Sequence, residues 1–249
     1  MDTAQTVAKA LGLLELLGKQ SLTAAQIIDK TKIHRSTAYR LLGTLIQLGY
    51  LRKNDTNGLY SLSPKILTLA SSVRETKDIK EIAQPHIDEL HSRVHETIHL
   101  AVLDNDELVY LDKRESTRNL RVVMSSKTGS HAPLYCTGIG KVLLSGMSDA
   151  QLREYLRTVR FVKYTEHTLP GAPELLNEID DIKKRGFAED REEHEDGVYC
   201  VAAPVIDSDG SVIAAFSVSL PSVRATDSLK KSIIEDVQLI SKRISGEIG

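Results

Sequence analysis

The sequence has little cysteine, no long apolar run and no internal repeat. Its 249 residues include two cysteines, Cys136 and Cys200, which are too few for a disulfide framework and lack the spacing of a zinc finger. No segment approaches the roughly 18 consecutive apolar residues of a membrane-spanning helix. The N-terminal segment contains no small-residue cleavage site, so a signal peptide is not expected. These absences favour a globular cytoplasmic protein without a membrane partner.

Charge is distributed unevenly along the chain. Residues 1–75 hold 10 of the 32 Lys and Arg residues but only 5 of the 34 Asp and Glu residues, a balance of +5, so residues 76–249 carry −7. A basic N-terminal segment favours approach to phosphates, whereas an acidic remainder opposes non-specific binding to nucleic acid. The length also fits two domains better than one. Two domains with different binding partners are therefore predicted.

Residues 22–51 have the pattern of two short helices joined by a tight turn, because apolar residues recur at helical spacing in both halves. The second helix begins with charged, hydroxyl and phenol side chains, at the end that a helix-turn-helix inserts into the major groove. Its long side chains are suited to base edges or phosphates, and its first-turn hydroxyls to phosphates. These candidate DNA contacts are Arg35, Ser36, Thr37, Tyr39 and Arg40. A helical hairpin inside an enzyme is the alternative that this pattern leaves open.

A β-hairpin is predicted after the second helix. Asn57-Gly58 separates two short alternating runs, and Asn-Gly in that position is a strong hairpin signal. The order of helix, turn, helix and hairpin is that of a winged helix-turn-helix. Lys53 and Asn57 in the wing are expected to add non-specific affinity for DNA. Thr6, near the start of the chain, is a further candidate contact.

The rest of the chain mixes extended and helical patterns. Two pairs of period-two runs, within 97–112 and 200–220, surround turns rich in Asp, Asn or Gly and predict antiparallel hairpins. A further strand is expected over 120–125. Helices are predicted over 140–145, 149–156, 172–185 and 228–247. An antiparallel sheet flanked by helices is an α+β fold.

These patterns predict three consecutive segments. Residues 1–63 form the winged helix-turn-helix domain. Residues 64–78 keep helical periodicity and then become charged, which indicates a linker helix that ends near residue 77 or 78. Residues 79–249 form a second domain. It opens with a helix over 79–94 that Pro85 interrupts early, which is tolerable only near a helix start or at a kink.

The segment from His95 to His99 reads HETIH and matches the pattern of zinc proteases. That mechanism needs both histidines on one face of a helix, together with a third ligand. Residues from Thr97 onward alternate as a strand, so the two histidines would not have this relation. A cytosolic zinc hydrolase that uses this segment is kept as the alternative function. A structural metal bound near His86, His91, His95 and His99 is also left open. No catalytic residue, resident metal or cofactor is predicted.

Two glycines, Gly138 and Gly140, open a predicted helix. A phosphate-binding loop would need glycine where Tyr135 stands and Ser or Thr where Val142 stands, so that motif is excluded. A helix start without bulky side chains can instead direct free N–H groups and the positive end of the helix dipole at a carboxylate. A tight packing joint between the loop and the helix is the alternative.

Several long motifs resemble the IclR family of bacterial transcriptional regulators, and they extend over nearly the whole chain. The motifs are TVAKALGLLELL, HRSTAYRLLGTLIQLGYL, ETIHLAVLDNDELVYLDK, PLYCTGIGKVLLS and RGFAEDREEHEDGVYCVAAPVIDSDGSVIAAFSVSLP. The resemblance implies a winged helix-turn-helix joined by a helix to a ligand-binding domain similar to GAF domains, assembled as a homodimer or homotetramer. The segments PLYCTGIGKVLLS and DREEHEDGVYCVAAPV are most similar to regulators of 2-keto-3-deoxygluconate and diketogulonate catabolism.

The resemblance also implies an effector site in the second domain. It matches Asp190, Cys200 and the serine pair 217 and 219 to pocket positions, although the acidic run 189–196 would by default be a solvated loop. The two serines lie two residues apart on a predicted strand and so share a face. Met124 and Leu134 would be either apolar walls of the pocket or plain core. The predicted effector contacts are Met124, Leu134, Thr137, Gly138, Ile139, Gly140, Asp190, Cys200, Ser217 and Ser219.

These observations together predict a sequence-specific transcriptional regulator of a catabolic operon. Because family members that control catabolic genes mostly repress them, a repressor is expected, and an activator is left open. The expected partners are double-stranded operator DNA, a small anionic keto or sugar acid, and further copies of this chain.

Overall fold

The computed structural model describes residues 4–70, 74–119 and 124–248. It divides the chain into two compact units, 1–74 and 75–249, and each has its own hydrophobic core. The division falls inside the segment predicted as a linker helix. Among the described residues, no helix is long and apolar enough to cross a lipid bilayer.

The first unit has the order of elements predicted from the sequence. Its elements are α1 (Gln5–Lys19), β1 (Leu22–Thr23), α2 (Ala24–Thr31), α3 (Arg35–Gln47), β2 (Leu51–Lys53), β3 (Leu59–Leu62) and α4 (Lys65–Ala70). The three strands form an antiparallel sheet in the order β1-β3-β2. Leu13 of α1, Ile27 of α2 and Leu42 of α3 are fully buried and pack in one core with Tyr60 of β3. The winged helix-turn-helix is thereby confirmed.

Local signals position the two helices of the motif. Thr23 caps α2, since its hydroxyl accepts the N–H of Gln26 while the Gln26 side chain accepts the N–H of Thr23. Lys32 ends α2 in the left-handed conformation, with φ of 54°. Gly49 follows α3 at φ of 80°, a conformation that glycine adopts without strain. The turn before α3 and the end of α3 are therefore both fixed by local chemistry.

The second unit is an antiparallel sheet flanked by helices, as predicted. Its elements are α5 (Arg74–Val94), β4 (Thr97–Asp104), β5 (Glu107–Arg114), β6 (His131–Pro133), α6 (Gly138–Ser145), α7 (Asp149–Thr158), α8 (Ala172–Arg185), β7 (Ala188–Arg191), β8 (Val198–Ile206), β9 (Val212–Pro221), a short 3₁₀ helix (Ser222–Arg224) and α9 (Asp227–Ile248). The strand order is β6-β5-β4-β9-β8-β7. The α+β architecture is thereby confirmed.

The two faces of this sheet have different partners. Alternate residues such as Ile98, Phe216 and Val218 point to one face and pack with α5 and α9 in a large apolar core. The intervening residues, including Ala101 and Ala202, point to the other face, where α6 and α8 form a second core. The predicted serine pair also belongs to this second face. A cavity lies there beside the start of α6.

Three expectations about the second unit differ from the structure. The helix boundary predicted near residue 77 or 78 is wrong, because α5 runs continuously from Arg74 through Pro85 to Val94. Of the strand predicted over 120–125, residues 120–123 lie outside the described residues, and the remaining two are not in a strand. The acidic run 189–196 is a loop only in part, since β7 includes Glu189, Asp190 and Arg191.

Candidate functional site

The outer face of α3 presents polar side chains, while its inner face is buried against the core. Alternation at helical spacing produces this division, because Ala38, Leu41, Leu42 and Leu45 are buried. The predicted DNA contacts of this helix are exposed, except that Thr37 is half-buried. The Arg35 guanidinium lies 5.7 Å from the centre of the Tyr39 ring, a cation–π contact that orients both side chains.

The wing carries the other predicted contacts. Lys53 is exposed at the end of β2, and Thr6 is exposed on α1. Asn57 has a structural role as well, because its side-chain oxygen accepts the N–H of Leu59 at 3.1 Å. The oxygen of Asn54 similarly accepts backbone N–H groups in the turn. The amide nitrogen of Asn57 is therefore the part of its side chain that is suited to DNA.

A cavity of about 680 Å³, counting the part open to solvent, lies in the second unit. Strands β4, β5, β8 and β9, the start of α6 and the segments around residues 124–132 and 190–198 contribute its walls. The lining residues are His99, Tyr110, Met124, Ser125, Ser126, Ser130, His131, Ala132, Thr137, Gly138, Ile139, Asp190, His194, Glu195, Val198, Cys200, Ser217 and Ser219.

Strand register brings the polar lining residues together. Asp190 pairs with Cys200 across β7 and β8, and Cys200 pairs with Ser219 across β8 and β9. In the next row, Ser217 pairs with His99 across β9 and β4. Directly opposed residues of an antiparallel pair share a face, so these five side chains form one polar patch. The patch is the floor of the cavity.

Most of the predicted effector residues lie around this one cavity. Eight of the ten predicted contacts line it, namely Met124, Thr137, Gly138, Ile139, Asp190, Cys200, Ser217 and Ser219. Leu134 and Gly140 do not line the cavity. A side chain on Gly140 would collide with the backbone of Leu134, and Gly140 donates its N–H to the Thr137 hydroxyl at 3.1 Å. At Gly140 the structure therefore has the tight packing joint that was the alternative.

The sequence interpretation missed several lining residues, of which His99 is the most enclosed. His99 is 3% exposed, and it contacts the Tyr110 ring at a centroid distance of 5.0 Å. A signal was available, since His99 alternates with apolar residues on β4 and therefore points toward the same face as its neighbours two residues away. Ser126 and His194 lie in loops, and His131 begins the three-residue strand β6, so no periodic pattern could indicate them.

Burial perturbs the titration of three floor residues. Burial, and then the charge of nearby Glu193, raise the pKa of Asp190 to about 7. The Asp190 carboxyl accepts the N–H of Glu193 at 2.8 Å, which holds it in place. Burial, and then the charge of Lys113, lower the pKa of His99 to about 3, so its imidazole is neutral at physiological pH. Cys200 is also buried, and burial raises the pKa of its thiol, which disfavours a nucleophilic role.

A buried ion pair lies next to the floor. Lys141 of α6 is fully buried, and its ammonium group donates to Glu193 at 2.5 Å. Glu178 of α8 lies 3.9 Å from the same ammonium group. Glu193 follows β7, three residues after Asp190. The pair therefore joins α6 to the segment that carries Asp190.

The HETIH segment does not have the geometry of a zinc protease. Helix α5 ends at Val94, His95 has φ of 58°, and His99 lies on β4. The upstream and flanking histidines have separate partners. These are Glu247 for His86, the carbonyl oxygen of Glu115 for His91 and the hydroxyl of Thr117 for His95. Within residues 4–70, 74–119 and 124–248, no three His, Cys, Asp or Glu side chains are grouped as metal ligands.

Comparison with known proteins gives matches to two family descriptions and to full-length relatives. The IclR helix-turn-helix domain matches residues 6–55, and the C-terminal domain of the bacterial transcriptional regulator IclR matches residues 71–246. The chain is 35% identical to the HTH-type transcriptional regulator KdgR of Dickeya chrysanthemi, over 100% of this chain and 81% of that protein. It is 34% identical to KdgR of Escherichia coli strain K12, over 100% of this chain and 94% of that protein.

A solved structure agrees with these sequence matches. The crystal structure of Thermotoga maritima IclR is similar with a TM-score of 0.83 and 29% identity, and the match covers 99% of this chain and 100% of that one. The similarity therefore includes both units.

Proposed function

Because this chain belongs to the IclR family of bacterial transcriptional regulators, we propose that it represses a catabolic operon in the cytoplasm and that a small anionic keto or sugar acid controls its binding to the operator. DNA-binding regulation is the activity of the family, and the similar proteins are regulators rather than enzymes. The zinc hydrolase alternative is set aside for that reason.

The observation that carries the effector proposal is the buried polar floor of the cavity. Buried hydroxyl and carboxyl groups require hydrogen-bond partners, and a polyhydroxylated ligand supplies several at once. Helix α6 begins at Gly138, so the N–H groups of Gly138 and Ile139 precede its first intrahelical bond and are suited to a carboxylate. Ser217, Ser219 and Asp190 are suited to hydroxyl and keto groups.

We select 2-keto-3-deoxygluconate as the first effector to test. The sequence is most similar to regulators of sugar-acid catabolism in the two motifs that contribute the floor and the start of α6. The acidic second unit does not attract anions in general, so selectivity has to come from local donors. A sugar acid that also satisfies Asp190 should therefore bind better than a simple aliphatic acid.

We propose that DNA is read by α3 and held by the wing, through the exposed contacts described above. A homodimer or homotetramer would present recognition helices to successive major grooves of a roughly palindromic operator. A ligand that binds one arrangement of the assembly better than another would then shift operator affinity.

The proposal is tested by selecting operator duplexes with the full-length protein and titrating 2-keto-3-deoxygluconate in fluorescence anisotropy. Saturating acid should release the DNA. It should also raise the free energy of unfolding by about 3 kcal/mol at ~100-fold excess over Kd. Ser217→Ala/Ser219→Ala should lose both responses, whereas Ser211→Ala, on the exposed turn before β9, should keep them. Equal responses of the double variant and the wild type would place the effector elsewhere.

The sign of regulation is tested with a reporter gene under the selected operator. A repressor lowers reporter expression in the absence of the acid, and the acid restores it. Expression that rises with the regulator alone would show an activator.

A further inference from the structure

A continuous chain of side chains connects the floor of the cavity to its rim. The Cys200 thiol donates to the Ser219 hydroxyl at 3.0 Å, and that hydroxyl lies 3.5 Å from Nδ1 of His99. The other ring nitrogen, Nε2, lies 2.8 Å from the hydroxyl of Ser126, which belongs to the lining segment 124–132, called the rim here. His99 is thus the link between the floor and the rim.

The same rim segment is held near His99 by a second basic residue. Lys113 pairs with His99 across β4 and β5, and its ammonium group donates to the carbonyl oxygen of Ser126 at 2.9 Å. The charge of Lys113 also disfavours a proton on the ring, in addition to the effect of burial. A neutral imidazole carries one proton, so one nitrogen donates and the other accepts.

The position of that proton determines what Ser219 can offer a ligand. With the proton on Nδ1, the ring donates to Ser219, whose own O–H can then donate to a ligand acceptor in place of the Ser217 hydroxyl, which lies 3.5 Å away. With the proton on Nε2, Ser219 donates to Nδ1 and offers a ligand only a lone pair. The role of Ser126 at the rim reverses in the same step, since Nε2 accepts in the first case and donates in the second.

We propose that His99 is a specificity-determining and positioning residue of the cavity: its single ring proton sets whether the Ser219 hydroxyl donates to the effector or accepts from it, and couples that choice to Ser126. This inference rests on the proposed function. A keto or carboxylate oxygen at Ser219 selects the Nδ1–H tautomer. A hydroxyl that donates to Ser219 selects the Nε2–H tautomer. The cavity therefore distinguishes a keto acid from the corresponding hydroxy acid through one histidine.

The direct test is nitrogen NMR of the full-length protein labelled with ¹⁵N in its histidine rings, because the two tautomers give different ring-nitrogen shifts. His99→Gln identifies the His99 signals among the eight histidines. We expect 2-keto-3-deoxygluconate to place the proton on Nδ1 and the acid reduced to a hydroxyl at C2 to place it on Nε2. Unchanged His99 signals with both acids bound would overturn the proposal.

Affinity measurements provide a second readout. Wild type should prefer one of the two acids by about tenfold, the net value of one hydrogen bond. His99→Gln, which removes the contact to Ser219, should reduce that ratio to less than threefold. Ser126→Ala should reduce it as well, whereas Ser211→Ala, on the exposed turn before β9, should keep it. Equal ratios in all four proteins would contradict the coupling.

The ligand-free protein separates this inference from the proposed function. Ser219→Ala and Ser126→Ala should each move the His99 ring-nitrogen signals, and Ser211→Ala should leave them in place. If neither acid binds, the proposed function fails, and these three spectra still decide whether His99 links Ser219 to Ser126. If the spectra of all three variants were identical to that of the wild type, His99 would not link Ser219 to Ser126.

Discussion

The carboxyl group of Asp190 has buried surroundings that disfavour its charged form. Its pKa is raised from 3.8 to about 7, first by burial and then by Glu193, so the folded protein retains a proton that the unfolded chain releases. Between these two pKa values the native state binds more protons, and stability falls as pH rises through that window. Above pH 7 the full cost of burying the carboxylate applies.

We predict that Asp190→Asn removes this dependence. An amide oxygen can still accept the N–H of Glu193, but the side chain no longer titrates. The free energy of unfolding of the variant relative to wild type should therefore increase by about 1 to 3 kcal/mol between pH 5 and pH 8. Urea denaturation at several pH values measures it. Asp196→Asn, an exposed change in the same segment, is the control, and parallel profiles for all three proteins would contradict the assignment.

Arg40 is a predicted DNA contact on the outer face of α3, and replacing it tests that prediction. Its side chain is exposed, and it is long enough for a bidentate contact to a base edge. Arg40→Ala should weaken operator binding by about 1 to 3 kcal/mol and relax the sequence preference at one position. Gel shifts with matched operator variants measure both effects. Arg153→Ala, an exposed change in the second unit, should bind like wild type, and an unchanged Kd for Arg40→Ala would remove Arg40 from the interface.

At the scale of elements, α6 is held in place by charge as well as by apolar packing. The buried ammonium group of Lys141 pairs with Glu193, whose second carboxylate oxygen has no hydrogen-bond partner in the part of the chain that the structure describes. Removing Lys141 alone would leave that carboxylate buried and unpaired.

We therefore predict that Lys141→Met lowers the free energy of unfolding by about 3 to 5 kcal/mol. Lys141→Met/Glu193→Gln should recover at least half of the loss, because no uncompensated charge remains. Lys184→Met, which breaks an exposed ion pair with Asp181, is the matched control and should change stability little. Chemical denaturation of the three variants measures this, and a double variant as unstable as Lys141→Met would show that charge is not the cause.

The elements with strong periodicity were predictable, and those defined by long-range pairing were not. The helix over 172–185 was predicted with the bounds of α8, because its apolar spacing and flanking glycines define both ends. Strands β6 and β7 contain three and four residues, too few for a period to show. The continuity of α5 through Pro85 is set by packing of its buried face against the sheet, which no local signal reports.

The residues of the candidate site also fall into those that local periodicity predicts and those that depend on tertiary contacts. Ser217 and Ser219 could be placed on one face because strand periodicity is a local property. The separation of Gly140 from the cavity depends on its contact with Leu134, and the inclusion of His99 depends on which strands are neighbours. Both depend on tertiary contacts, which a local sequence pattern does not indicate. The resemblance to a family supplied Asp190, which the charge pattern alone would have assigned to a solvated loop.

At the scale of the whole molecule, DNA reading and ligand binding belong to separate compact units. One winged helix-turn-helix makes few base and phosphate contacts, and a linked pair raises the effective concentration of each half at its half-site. We predict that a fragment of residues 1–75 binds operator at least tenfold more weakly than the full chain, even when circular dichroism shows it folded. Equal affinity would show that assembly through the second unit does not contribute.

The alternation of the central strands also affects how such a regulator can diverge in evolution. On β9, Phe216, Val218 and Leu220 face the core with α5 and α9, while Ser217 and Ser219 face the cavity. Substitutions at the second set can change the ligand that is accepted without a cost to the packing that maintains the fold. New effectors can therefore be acquired through single-residue steps on a scaffold that stays intact, and the ligand can change faster than the architecture.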